Sequence, residues 1–365
     1  MLSIPLRHIV VLTLVTPLLA ACGGSSQPTD KLNVEALIHF NTNVSDFEQS
    51  RAFYGALGFE TLSGFPDTNT LAMAQAIGID TPTEYDGSQG ASAGGYLLHG
   101  ELIGVGGNAG GLIDLIEFTI PRNDEPPYPS MNHLGMVSAA MYTTNLDADY
   151  QHLSTQGVEF LSPPVIDAQG TKFAMFKDPD GTFYELVELA DDSIDDAQKP
   201  GKTHIYSLGY VTINVSNFER SAKWYGLFGF ELSHMLAEQE NDQVGQALGF
   251  PGPVRRKAGV FKHPLDGSQL KIVQWIEPYL ETNPYPVPIN HFGIHRIAFT
   301  STDIEADVAL LKTHGVEFVS DITPCCSGED SWGGIVAFYD PDGTIVELAD
   351  QPLMNFMMSV MRWFS

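Results

Sequence analysis

The sequence predicts an α+β chain in which four βαβββ units pair into two related domains. Three observations carry this. Blocks of residues recur at a long fixed offset, strand-like runs alternate with capped helix-like runs, and an Asp-Pro-Asp-Gly turn precedes the last strand of each half. A chain of 365 residues, 43% hydrophobic and 17% charged, is long enough for two or three domains with ordinary cores.

The repeat sets the organisation. Asn43-Val44-Ser45-Asp46-Phe47-Glu48 returns as Asn214-Val215-Ser216-Asn217-Phe218-Glu219. Tyr54-Gly55, Gly58-Phe59-Glu60 and Gln75-Ala76-Ile77-Gly78 return as Tyr225-Gly226, Gly229-Phe230-Glu231 and Gln246-Ala247-Leu248-Gly249, all at the same offset of 171 residues. Later blocks match too: Asn132-His133 with Asn290-His291, Gly157–Phe160 with Gly315–Phe318, and Asp178–Thr182 with Asp340–Thr344. Domains at 33–190 and 203–350 follow. The linker 191–202 starts acidic and has no periodic apolar face.

Each domain divides again. Leu37–Val44 alternates loosely and reads as a strand. Ser45-Asp46 caps a helix through Tyr54, with Gly58 at its C-terminal end. Val137–Thr143 is a second strand, Leu146–Gln156 a second helix, and Gly157 its stop. Asp at the first position, Pro at the second and Gly at the fourth suit a type I turn, which feeds the strands Thr182–Glu188 and Thr344–Ala349. On these strands Glu185 shares a face with Phe183 and Val187, and Glu347 with Ile345 and Ala349. A carboxylate on a buried apolar face needs a partner, because an unpaired buried charge is costly.

The formal charge of −27 repels phosphate backbones, so nucleic-acid binding is not expected; the surplus reads as solubility or adaptation to a salty medium. Three cysteines are too few for a disulfide scaffold, and the adjacent Cys325 and Cys326 are open to a strained vicinal bridge, to free thiols or to pairing with another chain. No stretch after residue 22 is long and apolar enough to span a bilayer. The apolar C-terminal tail 351–365 is expected to pack on the second domain as a helix or to lie in a membrane interface. Homo-oligomerisation is left open.

Residues 1–22 have the parts of a secretory signal: Arg7 and His8, an apolar run from Ile9 to Leu19, then small residues. Leu19-Ala20-Ala21-Cys22 resembles the bacterial lipobox. That resemblance implies lipidation of Cys22, a flexible tether over 23–32 and attachment to the cell envelope. Gly23 after the cysteine favours, by analogy, the outer membrane facing the periplasm.

The opening strand, the Asp-Phe-Glu-x-Ser-x-x-Phe-Tyr helix, the Leu-Gly-Phe exit and the closing Asp-Pro-Asp-Gly-Thr-x-x-Glu-Leu together resemble the vicinal-oxygen-chelate superfamily of glyoxalases, bleomycin-resistance proteins and extradiol dioxygenases. The resemblance implies that two βαβββ units curl into a cupped mixed sheet with helices outside, and that a divalent metal sits inside on residues of the first and last strands of each unit. Carried over by position, the first domain offers His39, Asp114, Ser138 and Glu185, and the second Tyr210, Lys271, Arg296 and Glu347. One imidazole and two carboxylates in the first domain would suit Zn, Mn, Fe or Ni, with Glu185 also free to shuttle a proton. Ser138 stands where the second histidine of an extradiol iron site would be. No metal is expected in the second domain, since Lys271 and Arg296 cannot ligate one while charged; Arg296 is expected to pair with Glu347. His295, one position along, should point the other way, and His133 and His291 are expected to serve the crossover between units. Two readings stay open: a metal-dependent lyase or isomerase active in the first domain, and a metal-free small-molecule binder in which Ser138, Tyr210, Lys271, Arg296 and Glu347 line the ligand sites.

Overall fold

A computed structural model describes residues 31–64, 74, 76–79, 97–106, 111–189, 203–280, 288–325 and 333–350. The signal segment with Cys22, the tether to residue 30, the linker 191–202, Cys326 and the tail 351–365 lie outside the described residues.

Four units are present, as the repeat requires. The first comprises β1 (Val34–Asn43), α1 (Phe47–Leu57), β2 (Glu60–Gly64), β3 (Leu97–Gly104) and β4 (Leu112–Ile120). The second comprises β5 (Gly135–Thr143), α2 (Leu146–Thr155), β6 (Glu159–Phe160), β7 (Val165–Ile166), β8 (Lys172–Lys177) and β9 (Phe183–Glu188). The third runs through β10 (Ile205–Asn214), α3 (Phe218–Leu227), β11 (Glu231–Met235), β12 (Gln239–Glu240), α4 (Asp242–Ala247), β13 (Val254–Lys262) and β14 (Gln269–Glu277). The fourth has β15 (Gly293–Ser301), α5 (Ile304–Thr313), β16 (Thr323–Cys325), β17 (Gly333–Tyr339) and β18 (Ile345–Asp350).

The helices start where short polar side chains can take an orphan backbone N–H. Asp46, Asn145, Asn217 and Asp303 each accept from the amide three residues on. Gly58 closes α1 at φ 107°, a left-handed conformation that glycine adopts freely. The apolar faces of the four long helices enter one continuous cluster. It joins Phe40 and Tyr54 of the first unit, Met141 and Leu186 of the second, Val211 and Phe228 of the third, and Phe299 and Leu348 of the fourth.

Within every unit the first strand lies parallel to the last: β1 with β4, β5 with β9, β10 with β14, β15 with β18. Between units the pairing departs from the expectation. β1 pairs antiparallel with β15, and β5 with β10. One sheet therefore runs β16-β17-β18-β15-β1-β4-β3-β2 and the other β11-β13-β14-β10-β5-β9-β8-β6. Each sheet takes one unit from each half of the sequence, rather than both units of one half.

Two asparagines from the repeated block fasten this arrangement. Asn43 Nδ2 donates to the carbonyls of Ile289 (2.6 Å) and His291 (2.8 Å), just before the fourth unit. Asn214 Nδ2 donates to those of Met131 and His133, both at 2.6 Å, just before the second. Within each half the Asp-Pro-Asp-Gly turn braces the preceding unit: Asp178 accepts from the Tyr54 hydroxyl (3.0 Å), and Asp340 from that of Tyr225 (3.0 Å).

Candidate functional site

The pairing of units decides which side chains meet. His39 on β1 and Asp114 on β4 share a sheet with Arg296 on β15 and Glu347 on β18. Tyr210 on β10 and Lys271 on β14 share the other with Ser138 on β5 and Glu185 on β9. The expected ligand set of His39, Asp114 and Glu185 is thus divided between two cups, as is the set of Tyr210, Lys271, Arg296 and Glu347. The reason is topological: β1 finds its antiparallel neighbour in β15, so Glu185 closes a different sheet from the one that carries His39.

In the first cup a guanidinium lies between two carboxylates. Arg296 Nη2 donates to Asp114 Oδ2 at 3.1 Å, and its Nε is 3.0 Å from Glu347 Oε1. The expected Arg296–Glu347 pair is present, with Asp114 as a further partner. His39 Nδ1 is 3.9 Å from Asp114 Oδ2, beyond hydrogen-bonding distance. Burial, with Arg296 adding to it, lowers the His39 pKa to about 3, so the ring is neutral. Burial raises Asp114 to about 7 against the pull of Arg296, and also raises Glu347. Ala74, Ile77 and Ile79, from around the repeated Gln-Ala-x-Gly block, pack with Ile116, Phe118 and Ile345 inside this sheet.

In the second cup an ammonium takes the corresponding place. Lys271 Nζ donates to Glu185 Oε2 at 2.7 Å and to the Tyr210 hydroxyl at 3.2 Å. Burial lowers the Lys271 pKa, opposed by Glu185, and raises that of Tyr210. The need of Glu185 for a buried partner is met by a cation. Ser138 lies opposite Thr212 in the β5–β10 pairing, fully buried, and neither hydroxyl has a hydrogen-bond partner among the described residues.

A cavity of about 260 Å³ opens beside Lys271, Glu185 and Tyr210. Its walls add Tyr142, Phe173, Val244, Leu248 and Val260, and four charged residues absent from the sequence-based candidates: Asp167, Glu240, Arg256 and Lys262. Arg256 carried a readable signal. It shares the inner face of β13 with Val254, Ala258 and Val260, a lone charge in an apolar stripe like Glu185. His133 and His291 serve the crossover between units through their backbones. The carbonyls of His133 and His291 receive the asparagine clasps, and the His295 ring stands 5.7 Å from that of His291.

Neither cup suits a divalent metal. The positive charge that a metal would supply between Asp114 and Glu347 is supplied by Arg296, and beside Glu185 by Lys271. Among the described residues no three His, Cys, Asp or Glu side chains converge to hold an ion.

No curated protein matches the sequence. The fold is similar to that of glyoxalase I from Zea mays, at 16% identity and a TM-score of 0.58, over 88% of this chain and 94% of that one. It is also similar to a protein assigned as a dioxygenase from Bacillus subtilis, at 14% identity and a TM-score of 0.54, over 88% and 86%. The sequence profile of the Glyoxalase/Bleomycin resistance protein/Dioxygenase superfamily matches residues 36–186 and again 207–348. With most of its length matched and its strands in two sheets of paired βαβββ units, the chain belongs to that superfamily.

Proposed function

We propose that the protein binds a small organic molecule in the cavity of the second cup without a metal, and that it does so as an exported lipoprotein held at the cell envelope through Cys22. The carrying observation is the buried ammonium of Lys271, 2.7 Å from Glu185, at the place where a chelated ion would otherwise organise the ligand. A fixed cation polarises or anchors an oxygen of a ligand as a metal does, but offers hydrogen bonds in place of open coordination positions. The metal-dependent alternative required His39, Asp114 and Glu185 to meet, and they belong to different sheets.

Metal analysis of the purified full-length protein after dialysis tests the reading. Less than a tenth of an equivalent of any transition metal is expected, and a stoichiometric metal lost on Glu185→Gln would overturn it. Export is tested separately: Cys22→Ser should abolish acyl labelling and release the protein from membranes. Labelling that persists in this variant refutes the anchor.

A further inference from the structure

The cavity of the second cup ends in two charged side chains that the Lys271–Glu185 pair leaves unused. Arg256 is 8% exposed, its guanidinium lies 5.2 Å from the centre of the Trp275 ring, and its Nε is buried without a hydrogen-bond partner among the described residues. Glu240, on the neighbouring β12, is 3% exposed, and its Oε2 is likewise buried without a hydrogen-bond partner among the described residues. Both line the cavity, and each feels the other's charge, yet they form no ion pair. The Ala168 amide reaches the Glu240 carboxylate and the Trp275 ring faces the guanidinium, but one buried polar atom of each charged group stays unsatisfied among the described residues, which is costly, and each retains hydrogen-bonding capacity.

The charges along the walls choose among ligands. Arg256, Lys262 and Lys271 face Asp167, Glu185 and Glu240, so the lining is formally balanced. A dianion such as a phosphate ester would meet three carboxylates, with Lys271 committed to Glu185, Lys262 exposed to solvent, and Arg256 the one buried cation left to receive it among the described residues. A molecule carrying one charge of each sign leaves the balance intact. The apolar part of the wall, Phe173, Val244, Leu248 and Val260, suits a hydrocarbon body between the charges. A cavity of about 260 Å³, just below the range of drug-sized ligand pockets, suits a small organic molecule.

We propose that the second cup binds a small zwitterionic amino carboxylate, its carboxylate on Arg256 and its ammonium on Glu240. The proposal rests on the metal-free reading of the cup and names its ligand class. Aligned in this way, the ligand completes both buried side chains with charge-assisted hydrogen bonds, and the Lys271–Glu185 pair forms the adjoining wall.

Calorimetric titration of the full-length, metal-free protein tests this. The probes are glycine, L-leucine, L-phenylalanine, 4-aminobutyrate and 6-aminohexanoate, each beside its methyl ester and its N-acetyl derivative. At least one parent compound should bind. Its ester, which lacks the carboxylate, and its N-acetyl form, which lacks the ammonium, should each bind roughly ten- to a hundredfold more weakly, the loss expected for a hydrogen bond to a charged group. Arg256→Gln should weaken the parent by a similar factor while changing the ester little, and Glu240→Gln should do the same for the ammonium. The ester and N-acetyl comparisons use the unaltered protein, so they hold even if a variant fails to fold. Derivatives that bind as tightly as their parents overturn the zwitterion and leave the small-molecule reading standing. Failure of every parent compound to bind overturns the proposal as well, whereas a stoichiometric metal overturns the reading beneath it.

Discussion

Arg296 holds two carboxylates that have no other cation beside them among the described residues, and its removal shows how buried charge behaves in this protein. Asp114 and Glu347 are each 1% exposed, so neither can recover its hydration when the guanidinium is lost. Arg296→Met should destabilise the fold by about 3–5 kcal/mol in urea unfolding. Converting Asp114 and Glu347 to Leu as well should restore most of that loss, because the whole cluster can be replaced by apolar packing while a fragment of it cannot. A single variant within about 1 kcal/mol of the parent would show that the cluster is better hydrated than its burial implies. The need for such a partner was legible in the sequence: a lone Glu between Ile345 and Ala349 on one face of a strand demands a cation. Arg256 obeys the same rule on β13 but lies away from the positions that the family resemblance singles out, so it emerged only when the cavity brought it beside Glu240.

Elements were the most readable level, because what defines them is local. Asp46, Gly58 and Gly157 announce helix ends through chemistry that acts within three or four residues, and the helices begin and end within a few positions of expectation. The joints between elements were not readable in this way. Asn43 and Asn214 stand out as repeated residues, but their role depends on carbonyls 246 and 83 positions away in sequence. Asn214→Asp keeps the shape and removes the amide that donates to Met131 and His133. It should cost about 2–3 kcal/mol, the net value of two hydrogen bonds plus the strain of facing a carboxylate with carbonyls. Asp46→Ala should cost only about 1 kcal/mol, as the loss of one exposed cap. Both are measured as shifts in the urea midpoint at constant slope. Equal small shifts for the two would mean that the crossover is held by packing alone.

At the scale of the whole molecule, the chain folds as two halves that complete each other, against the expectation that each half would close its own cup, and the charges of the inward-facing side chains agree with the exchange. Pairing both units of each half would have put Lys271 and Arg296 together with a single carboxylate, Glu347, and left Asp114 with Glu185. Exchanging partners brings a cation of the second half onto a carboxylate of the first in each cup, Arg296 onto Asp114 and Lys271 onto Glu185, which relieves the like charges that each half would otherwise bury together. Apolar patterning cannot make this choice, since all four first strands are buried along nearly their whole length and offer equivalent surfaces to a neighbour. A consequence is that neither half owns a cup. A chain of residues 31–190 produced alone would leave β1 and β5 without their antiparallel partners, exposing two unpaired strand edges and half of each cup interior. It should aggregate or associate with itself, while coexpression with residues 203–350 should give a soluble one-to-one complex, read by native mass spectrometry. The complex should regain the second cup, because Lys271 and Glu185 come from different chains in it. An isolated first half that stays monomeric, with cooperative unfolding and a stability near that of the full chain, would contradict the exchanged pairing of units on which both cups depend.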